Sequence, residues 1–311
     1  MGLVTEIVGP GGAARLVLSR FLTASATATG GDGFGGVGPA GAGRGRRMAV
    51  AADPVVLRHR DLEKIANVAL KVGRVLMECG ARVSVVREGM RLAAKGLGAN
   101  VVGERVGYAS LTLTVGAGEE TITRMIDVGP HGVNYRLDVA VRRYATQLAR
   151  DGGAPQEVNE TIDSLTRETP RYPLWMVAPA TGLACAAFGR LLGVDGPAFL
   201  PILVAGGVGQ WIRAKLHARR TNPCLIAAVI AFIAGAIGGF GARAAGSGSA
   251  ETALIASTLL LVPGVPATNA QTDIMEGFPT VGSARAVSVA MIMVFATIGI
   301  WGAEAVLGML P

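Results

Sequence analysis

The sequence predicts an α-helical integral membrane protein, with about five transmembrane helices and an N-terminal cytoplasmic α+β domain. Composition is the first reason: half of the 311 residues are apolar and 16% are charged, against about 25% in soluble domains. The placement of charge is the second reason. Residues 48–171 carry 17 Lys+Arg and 15 Asp+Glu, whereas residues 172–311 carry only 7 and 5. The front of the chain is therefore typical of a soluble domain and the back of a membrane domain.

The N-terminal segment is rich in glycine and alanine and includes GGDGFGGVGPAGAGRGRR. Such a composition cannot bury a core, so we predict a disordered tail over residues 1–55. Residues 1–47 supply +3 of the net charge of +7, and the rest is spread evenly. No basic stripe with interleaved aromatic residues is present, which argues against a nucleic-acid partner. Translation could begin at Met1 or at Met48.

Residues 56–170 alternate between helical and strand-like periodicity, which predicts the α+β domain. Two amphipathic helices come first, at about residues 60–80 and 83–97, with Asp61 as the N-cap of the first. The predicted elements that follow are a short strand near Val101, a hairpin formed by residues 111–115 and 121–127, a helix through Leu137 and Leu148, and a helix that Pro155 opens.

Five apolar segments follow, each close to the ~20 residues that a helix needs to cross a bilayer. Within a predicted transmembrane domain of residues 171–311, they lie at about 172–192, 196–213, 222–240, 252–270 and 284–309. Small residues such as GAIGG at positions 235–239 allow helix backbones to approach closely. The lipid bilayer is therefore the expected surrounding of this half of the chain.

Charges in the loops predict the orientation. The loop RAKLHARRT at residues 213–221 has four Lys or Arg, the loop 241–251 has one, and the loop near Asp195 has none beyond Arg190. By the positive-inside rule, the α+β domain lies in the cytoplasm and the C-terminus lies outside. We expect a multi-pass protein of the cell (inner) membrane.

Signatures of soluble enzymes are absent from the sequence, which has no HExxH, no GxSxG and no Walker A lysine. The histidines and cysteines are isolated from one another, at His59, His131, His217, Cys79, Cys185 and Cys224. We therefore expect no catalytic residue, no cofactor and no metal site.

Polar side chains at membrane depth are costly, so each one invites a functional interpretation. Glu304 lies late in the last segment, where it either handles protons or substrate or lies at the outer interface. Gln210 suits an interfacial amide, and Glu251 opens a helix, where a carboxylate complements the helix dipole.

The stretch LVPGVPATNAQTDIMEG, residues 261–277, places helix breakers beside polar side chains. Pro263 and Pro266 lack the amide hydrogen that a helix uses, so the carbonyls of Leu259 and Val262 are expected to lose their partners. Gly264 adds backbone freedom. The stretch therefore predicts a discontinuous helix with exposed backbone dipoles.

Two interpretations fit the polar residues that follow the break. Transporters build substrate sites from broken helices that line a cavity, and Asn269, Gln271 and Asp273 would then face the substrate. Alternatively, the helix simply leaves the membrane at the cytoplasmic interface, and these side chains are already in water.

The same stretch resembles the P-G-x-P-x-x-N signature of the threonine/serine exporter family, in the N-terminal domain of that family. ALKVGRVLMECGARVSVVREGM, residues 69–90, is similar to the family's first cytoplasmic helices, joined by a turn of small residues at positions 79–81. The resemblance covers about residues 60–311. It implies a secondary exporter of small polar metabolites that uses the proton-motive force. One branch would export threonine and serine, and a two-protein branch would export dicarboxylates such as succinate.

This resemblance assigns roles to residues near the break. Asn269 would hydrogen-bond the substrate, and Asp273 would bind an amino group or carry a proton, with a solvated cytoplasmic charge as its alternative. The expected site comprises Pro263, Gly264, Pro266, Asn269 and Asp273, with Glu276 and Glu304 as possible proton-coupling residues.

Single-chain members of the family carry a second membrane domain, which does not follow Pro311 here. The resemblance therefore implies the separate-subunit form, with a second small membrane subunit as partner. Two other classes stay open. One is a membrane-anchored cytoplasmic enzyme, hydrolase-like, with its catalyst in residues 60–170, and the other is a non-transporting membrane scaffold.

Overall fold

The computed structural model describes residues 58–169 and 172–308. The described residues belong to one compact unit. The prediction of a disordered tail over residues 1–55 lies outside the described residues. The elements in chain order are α1 (His59–Glu78), α2 (Val83–Gly96), β1 (Asn100–Val106), β2 (Ser110–Ala117), β3 (Glu120–Asp127), α3 (Tyr135–Asp151), α4 (Pro155–Glu168), α5 (Leu174–Leu191), α6 (Phe199–Ala218), α7 (Pro223–Ala244), α8 (Ala250–Ser257), a 3-10 turn (Leu259–Leu261), α9 (Gly264–Met275) and α10 (Pro279–Leu307).

The first part of the chain, from α1 to α4, is called the sheet region here. Its sheet is an antiparallel meander in the order β1-β2-β3. Alternation along β2 buries Leu111, Leu113 and Val115, and these side chains pack on α1 and α2. The predicted hairpin and the strand near Val101 are both present.

The amphipathic helices of the sheet region supply the rest of this core. Leu62, Ile65 and Leu76 of α1 are fully buried, as the helical spacing predicts. Asp61 is not the N-cap, because α1 begins two residues earlier, at His59, with Arg58 in the capping position. Asp61 lies instead in the first turn, where a carboxylate still complements the helix dipole.

A tight turn joins α1 to α2. Gly80 has φ +86°, its amide donates to the Met77 carbonyl (3.0 Å), and the Ala81 amide donates to the Leu76 carbonyl (3.1 Å). These two hydrogen bonds define a Schellman motif, which needs a residue in the left-handed region. The turn leaves the Gly80 and Ala81 carbonyls free of helix hydrogen bonds. Each accepts a hydrogen bond from a side chain in the C-terminal half of the chain, Gly80 from Asn269 and Ala81 from Arg285.

Three helices of the second half are long and apolar enough to cross a membrane: α5, α7 and α10. The pair formed by Ala250–Leu261 and Gly264–Met275 qualifies together, as one segment bent by 62°. Within residues 58–169 and 172–308, the structure therefore supports three or four spans, fewer than the five predicted. The predicted segment 196–213 corresponds to α6, which is helical but is not among these candidates, because Gln210, Arg213 and Lys215 lower its hydropathy.

Small residues bring the helices of this half close together. A Cβ at Gly182 of α5 would lie 2.1 Å from the Leu203 carbonyl oxygen of α6, and a Cβ at Gly299 of α10 would lie 2.2 Å from the Ala228 oxygen of α7. Only glycine allows such approaches, as membrane helix pairs require. The small residues thus set the spacing of the helices.

The ends of the helices are cross-linked on the side away from the sheet region. The carboxylate of Asp195, between α5 and α6, accepts hydrogen bonds from the Ser247 hydroxyl (2.6 Å) and the Gly248 amide (2.9 Å) between α7 and α8. These hydrogen bonds lower the pKa of Asp195. Near the same end, the Arg243 guanidinium donates to the Leu307 carbonyl at the end of α10. The loops at 195 and 247 therefore meet.

Candidate functional site: the helix break and its buried ion pair

The break lies between Leu261 and Gly264. Pro263 has φ −82° and ψ 64°, and the Gly264 amide donates to the Val262 carbonyl at 2.9 Å, which is the geometry of an inverse γ-turn. The Val262 amide donates to the Leu259 carbonyl at 3.0 Å. The expectation that the Leu259 and Val262 carbonyls lose their partners is therefore wrong. Each accepts a hydrogen bond from a backbone amide of the tight turn, Leu259 from Val262 and Val262 from Gly264.

The two prolines have different positions in the break. Pro263 stands before α9 and lies at the centre of the γ-turn, whereas Pro266 lies in the first turn of α9. An amide hydrogen in the first turn of a helix has no helical acceptor, so the missing amide hydrogen of Pro266 removes no helical hydrogen bond. The interruption therefore comes from Pro263.

Arg213 of α6 satisfies a further carbonyl at the break. Its guanidinium donates to the Leu260 oxygen at 2.7 Å. Broken helices at membrane depth are tolerated where neighbours satisfy the freed backbone. Sequence reasoning placed Arg213 in a basic loop, but α6 continues to Ala218 and carries Arg213 on its surface towards the break.

The polar residues of α9 divide into two sets. The Thr268 and Thr272 hydroxyls donate to carbonyls of their own helix, at Gly264 (3.1 Å) and Thr268 (2.9 Å). Asn269 points to the sheet region, where its amide nitrogen donates to the Gly80 carbonyl at 2.6 Å. Gln271 is exposed.

Asp273 lies at the centre of the site and is 0% exposed. Its Oδ2 accepts a hydrogen bond from Arg285 Nη1 at 2.6 Å, and its Oδ1 accepts one from the Val83 amide at 2.8 Å. Arg285 belongs to α10 and is 4% exposed. Charges this deeply buried occur in pairs because an isolated one would carry a large desolvation penalty. The interpretation of Asp273 as a solvated charge is wrong.

Arg285 has two further partners in the sheet region. Its Nη2 donates to the Ala81 carbonyl at 2.7 Å and lies 3.3 Å from the sulfur of Met77. Sequence reasoning missed Arg285 altogether. The available signal was an arginine inside the apolar segment 284–309, where any charge is expected to have a specific partner.

Other contacts continue the same interface around the ion pair. Glu276 forms a salt bridge with Arg82 (3.0 Å), and the Arg87 guanidinium lies 5.2 Å from the centre of the Phe278 ring. Val281, in the first turn of α10, is buried in the core of the sheet region. The C-terminal half of the broken segment and the start of α10 therefore pack on the sheet region.

The remaining predicted residues lie elsewhere. Glu304 is on α10, 19 residues after Arg285, which corresponds to about 28 Å along a helix. Gln210 is on α6, and Glu251 is in the first turn of α8. The structure thus brings Asn269, Asp273 and Glu276 together at one interface, and it leaves Glu304 at the other end of α10.

His131 lies in the sheet region beside Tyr108. Its Nε2 is 2.9 Å from the Tyr108 carbonyl oxygen, and burial lowers its pKa. Tyr108 in turn lies 3.4 Å, oxygen to oxygen, from the Ser288 hydroxyl of α10. Among residues 58–169 and 172–308, no group of three or more His, Cys, Asp or Glu side chains could hold a metal ion.

The apolar helices, the break and the buried ion pair define a helical membrane protein with a discontinuous segment of the kind found in transporters. A family model described as "Putative threonine/serine exporter" matches residues 67–307, and the chain belongs to this family. The resemblance inferred from the sequence is thereby confirmed.

Two curated relatives are similar to the chain over most of their length. Both are named "Probable succinate transporter subunit YjjP", one from Klebsiella aerogenes and one from Escherichia coli K12. The first is 25% identical over 237 residues, which is 76% of this chain and 91% of the relative. The second is 25% identical over 245 residues, 76% of this chain and 95% of the relative. No solved structure matches the chain.

Proposed function

We propose that the chain is one subunit of a secondary exporter of small polar metabolites, driven by the proton-motive force. Threonine, serine or a dicarboxylate such as succinate is the substrate. The family supports export, and the names of the two relatives support both a dicarboxylate and a multi-subunit transporter. A second small membrane subunit completes the transporter.

The observation that carries this proposal is the broken segment with the Asp273–Arg285 pair just beyond its bend. Broken helices turn backbone dipoles and polar side chains towards a substrate site in transporters, and a buried charged pair next to such a break is the best candidate here for a group that handles substrate or protons. The family and the names of the relatives point to transport rather than enzymatic catalysis.

The site residues have the following proposed roles. Asn269 hydrogen-bonds the substrate after leaving the Gly80 carbonyl, and Asp273 carries a proton or binds an amino group after leaving Arg285. Glu276 shares the proton, and Glu304 passes it at the far end of α10. The structure then corresponds to a state in which the site residues bind each other and the sheet region. The sheet region lies in the cytoplasm, and the protein is in the cell (inner) membrane.

Efflux from preloaded cells tests this function. Cells loaded with labelled threonine, serine or succinate are compared with and without this chain, and with and without a candidate partner subunit. We expect efflux that needs both proteins. Asn269→Ala should reduce its rate at least tenfold, because a transport-specific hydrogen bond is lost. Gln271→Ala removes an exposed amide two residues away and is the matched control.

Two results would count against the proposal. Efflux of none of the three metabolites, with both proteins present in the membrane, would reject the exporter function for these substrates. Equal efflux by the Asn269→Ala and wild-type proteins, at equal abundance, would remove Asn269 from the site but leave the exporter function in place.

A further inference from the structure

The buried ion pair has the construction of a receptor for a carboxylate. Both oxygens of the Asp273 carboxylate are held, one by the Arg285 guanidinium at 2.6 Å and the other by the Val83 amide at 2.8 Å. Val83 is the first residue of α2, so this amide has no helical partner and lies at the positive end of the helix dipole. A guanidinium together with a free helix amide suits a planar anion.

The groups that hold the carboxylate are positioned independently of it. Arg285 Nη2 is held by the Ala81 carbonyl and the Met77 sulfur, neither of which belongs to α9. Val83 is fully buried, and Val281, one turn before Arg285 on α10, lies in the same core. The receptor would therefore keep its shape if another carboxylate replaced that of Asp273.

Asp273, by contrast, belongs to a short helix that has a backbone turn at each end. Helix α9 has 12 residues, follows the γ-turn at Pro263, and is followed by Gly277 at φ +88°. The side chains of Asn269 and Asp273, and that of Glu276 directly after the helix, reach the sheet region through hydrogen bonds and ion pairs. These polar contacts can be exchanged for others, whereas the apolar packing of Val281 cannot.

We propose that Arg285 and the Val83 amide bind a carboxylate of the transported metabolite, and that Asp273 occupies this receptor until the metabolite replaces it. This inference rests on the proposed function and names its recognition chemistry. A buried guanidinium left without an anion is costly. Arg285 therefore keeps an anionic partner both when Asp273 occupies the receptor and when the metabolite does. The ligand must therefore supply an anion, and a carboxylate, the group that threonine, serine and succinate share, fits the place that the Asp273 carboxylate occupies.

The binding experiment uses the purified full chain and follows its unfolding temperature at constant ionic strength. Asp273→Ala empties the receptor and leaves room for a small carboxylate. Acetate should raise the unfolding temperature of this variant in a saturable way, and acetamide should not, because it lacks the charge. Asp273→Ala/Arg285→Gln should lose the response. Glu276→Ala removes a neighbouring carboxylate outside the receptor, so acetate should not raise the unfolding temperature of this variant.

A second variant keeps the test decisive if Asp273→Ala does not fold. Asp273→Asn preserves the shape of the side chain but removes its charge, so the intramolecular competitor is weakened. Succinate, which has no amino group for Asp273 to bind, should bind this variant at least tenfold more tightly than the wild-type chain. The amide analogue of that metabolite should show no such gain.

The outcomes separate this inference from the proposed function. Efflux by the wild-type protein without any carboxylate response in the Asp273 variants would overturn the receptor and leave the exporter. An equal response to acetate, acetamide and chloride would also overturn it. A carboxylate response that requires Arg285 would support the receptor even if efflux of the three metabolites were absent, and in that case only the exporter function fails.

Discussion

Gly80 lies where the two halves of the protein exchange hydrogen bonds. Its carbonyl accepts the Asn269 amide, while its own backbone has φ +86°. A Cβ at this position would lie 2.5 Å from the Gly132 carbonyl oxygen, which is backbone and cannot move aside easily. Two independent constraints therefore require glycine here: the left-handed conformation and the close approach of residue 132.

Substituting alanine for Gly80 separates these two constraints. Gly98 provides the matched control, because it has nearly the same φ, +87°, and nothing lies within 4 Å of its added Cβ. Gly98→Ala should lower the free energy of unfolding by about 1–2 kcal/mol, the cost of a left-handed alanine. Gly80→Ala should lower it by about 2 kcal/mol more, because overpacking adds to that cost. Denaturant unfolding of the purified variants measures both, and equal losses would show that the Gly132 carbonyl simply moves away.

Sequence reasoning found the site's position but not its partners. Asn269 and Asp273 were identified as functional candidates because polar residues follow a predicted break. Their observed partners are far away in sequence: Gly80 lies 189 residues before Asn269, and Val83 lies 190 before Asp273. Arg285 stands out in the sequence as a charge inside an apolar segment, but its partners do not, since only the tertiary fold places the Gly80–Val83 turn against α9 and α10.

At the scale of whole elements, the broken segment connects two sets of packed helices. Helix α8, before the break, packs mainly against α7 and α5, and α9, after the break, packs mainly against α10. The bend of 62° between them is thus the place where the helical bundle and the sheet region with its attached helices are joined.

Replacing Pro263 should straighten this segment. Spin labels at Ile255 on α8 and Met275 on α9, both exposed, report its shape. An uninterrupted helix would place these two Cα atoms about 30 Å apart, and the bend shortens this distance by several ångströms. Pro263→Ala should lengthen the measured distance, because the new amide can donate to the Leu259 carbonyl.

Pro266→Ala is the control for that measurement. Pro266 lies in the first turn of α9, where no helical hydrogen bond is lost, so its replacement should leave the distance unchanged. An unchanged distance in Pro263→Ala would contradict the assignment of the bend to this proline. The bend would then depend on tertiary contacts such as Arg213 with the Leu260 carbonyl.

Elements were more predictable than contacts. Periodicity correctly predicted the helices and strands of the sheet region, because α1 and β2 each bury one face and their patterns are regular. The count of membrane spans was less predictable. Helix α6 is long enough but carries charges near its end, and the segment after Ala250 divides into two helices whose angle no sequence pattern specifies.

At the scale of the whole molecule, the loops fall at two ends. The sheet region packs near the α9–α10 connection at residues 276–278, whereas the loops near Asp195 and Ser247 meet each other and the end of α10. Helix α7 runs between the ends, from Pro223 after the basic turn at Arg219 and Arg220 to Ala244. Positive charge near Pro223 and its scarcity near Ala244 agree with an orientation that puts the Pro223 end in the cytoplasm.

Two alanines that flank α7, Ala218 at the end of α6 and Ala245 directly after α7, test this orientation. Ala218 and Ala245 are both exposed and close to the two ends of the helix. Each is changed to cysteine in a chain whose native Cys79, Cys185 and Cys224 are replaced by alanine, and intact cells are treated with a membrane-impermeant maleimide. We expect labelling of the Ala245→Cys variant and protection of the Ala218→Cys variant until the membrane is opened. The reverse pattern would place the sheet region outside the cell, and the Asp273–Arg285 site would then open towards the wrong side to load a metabolite for export.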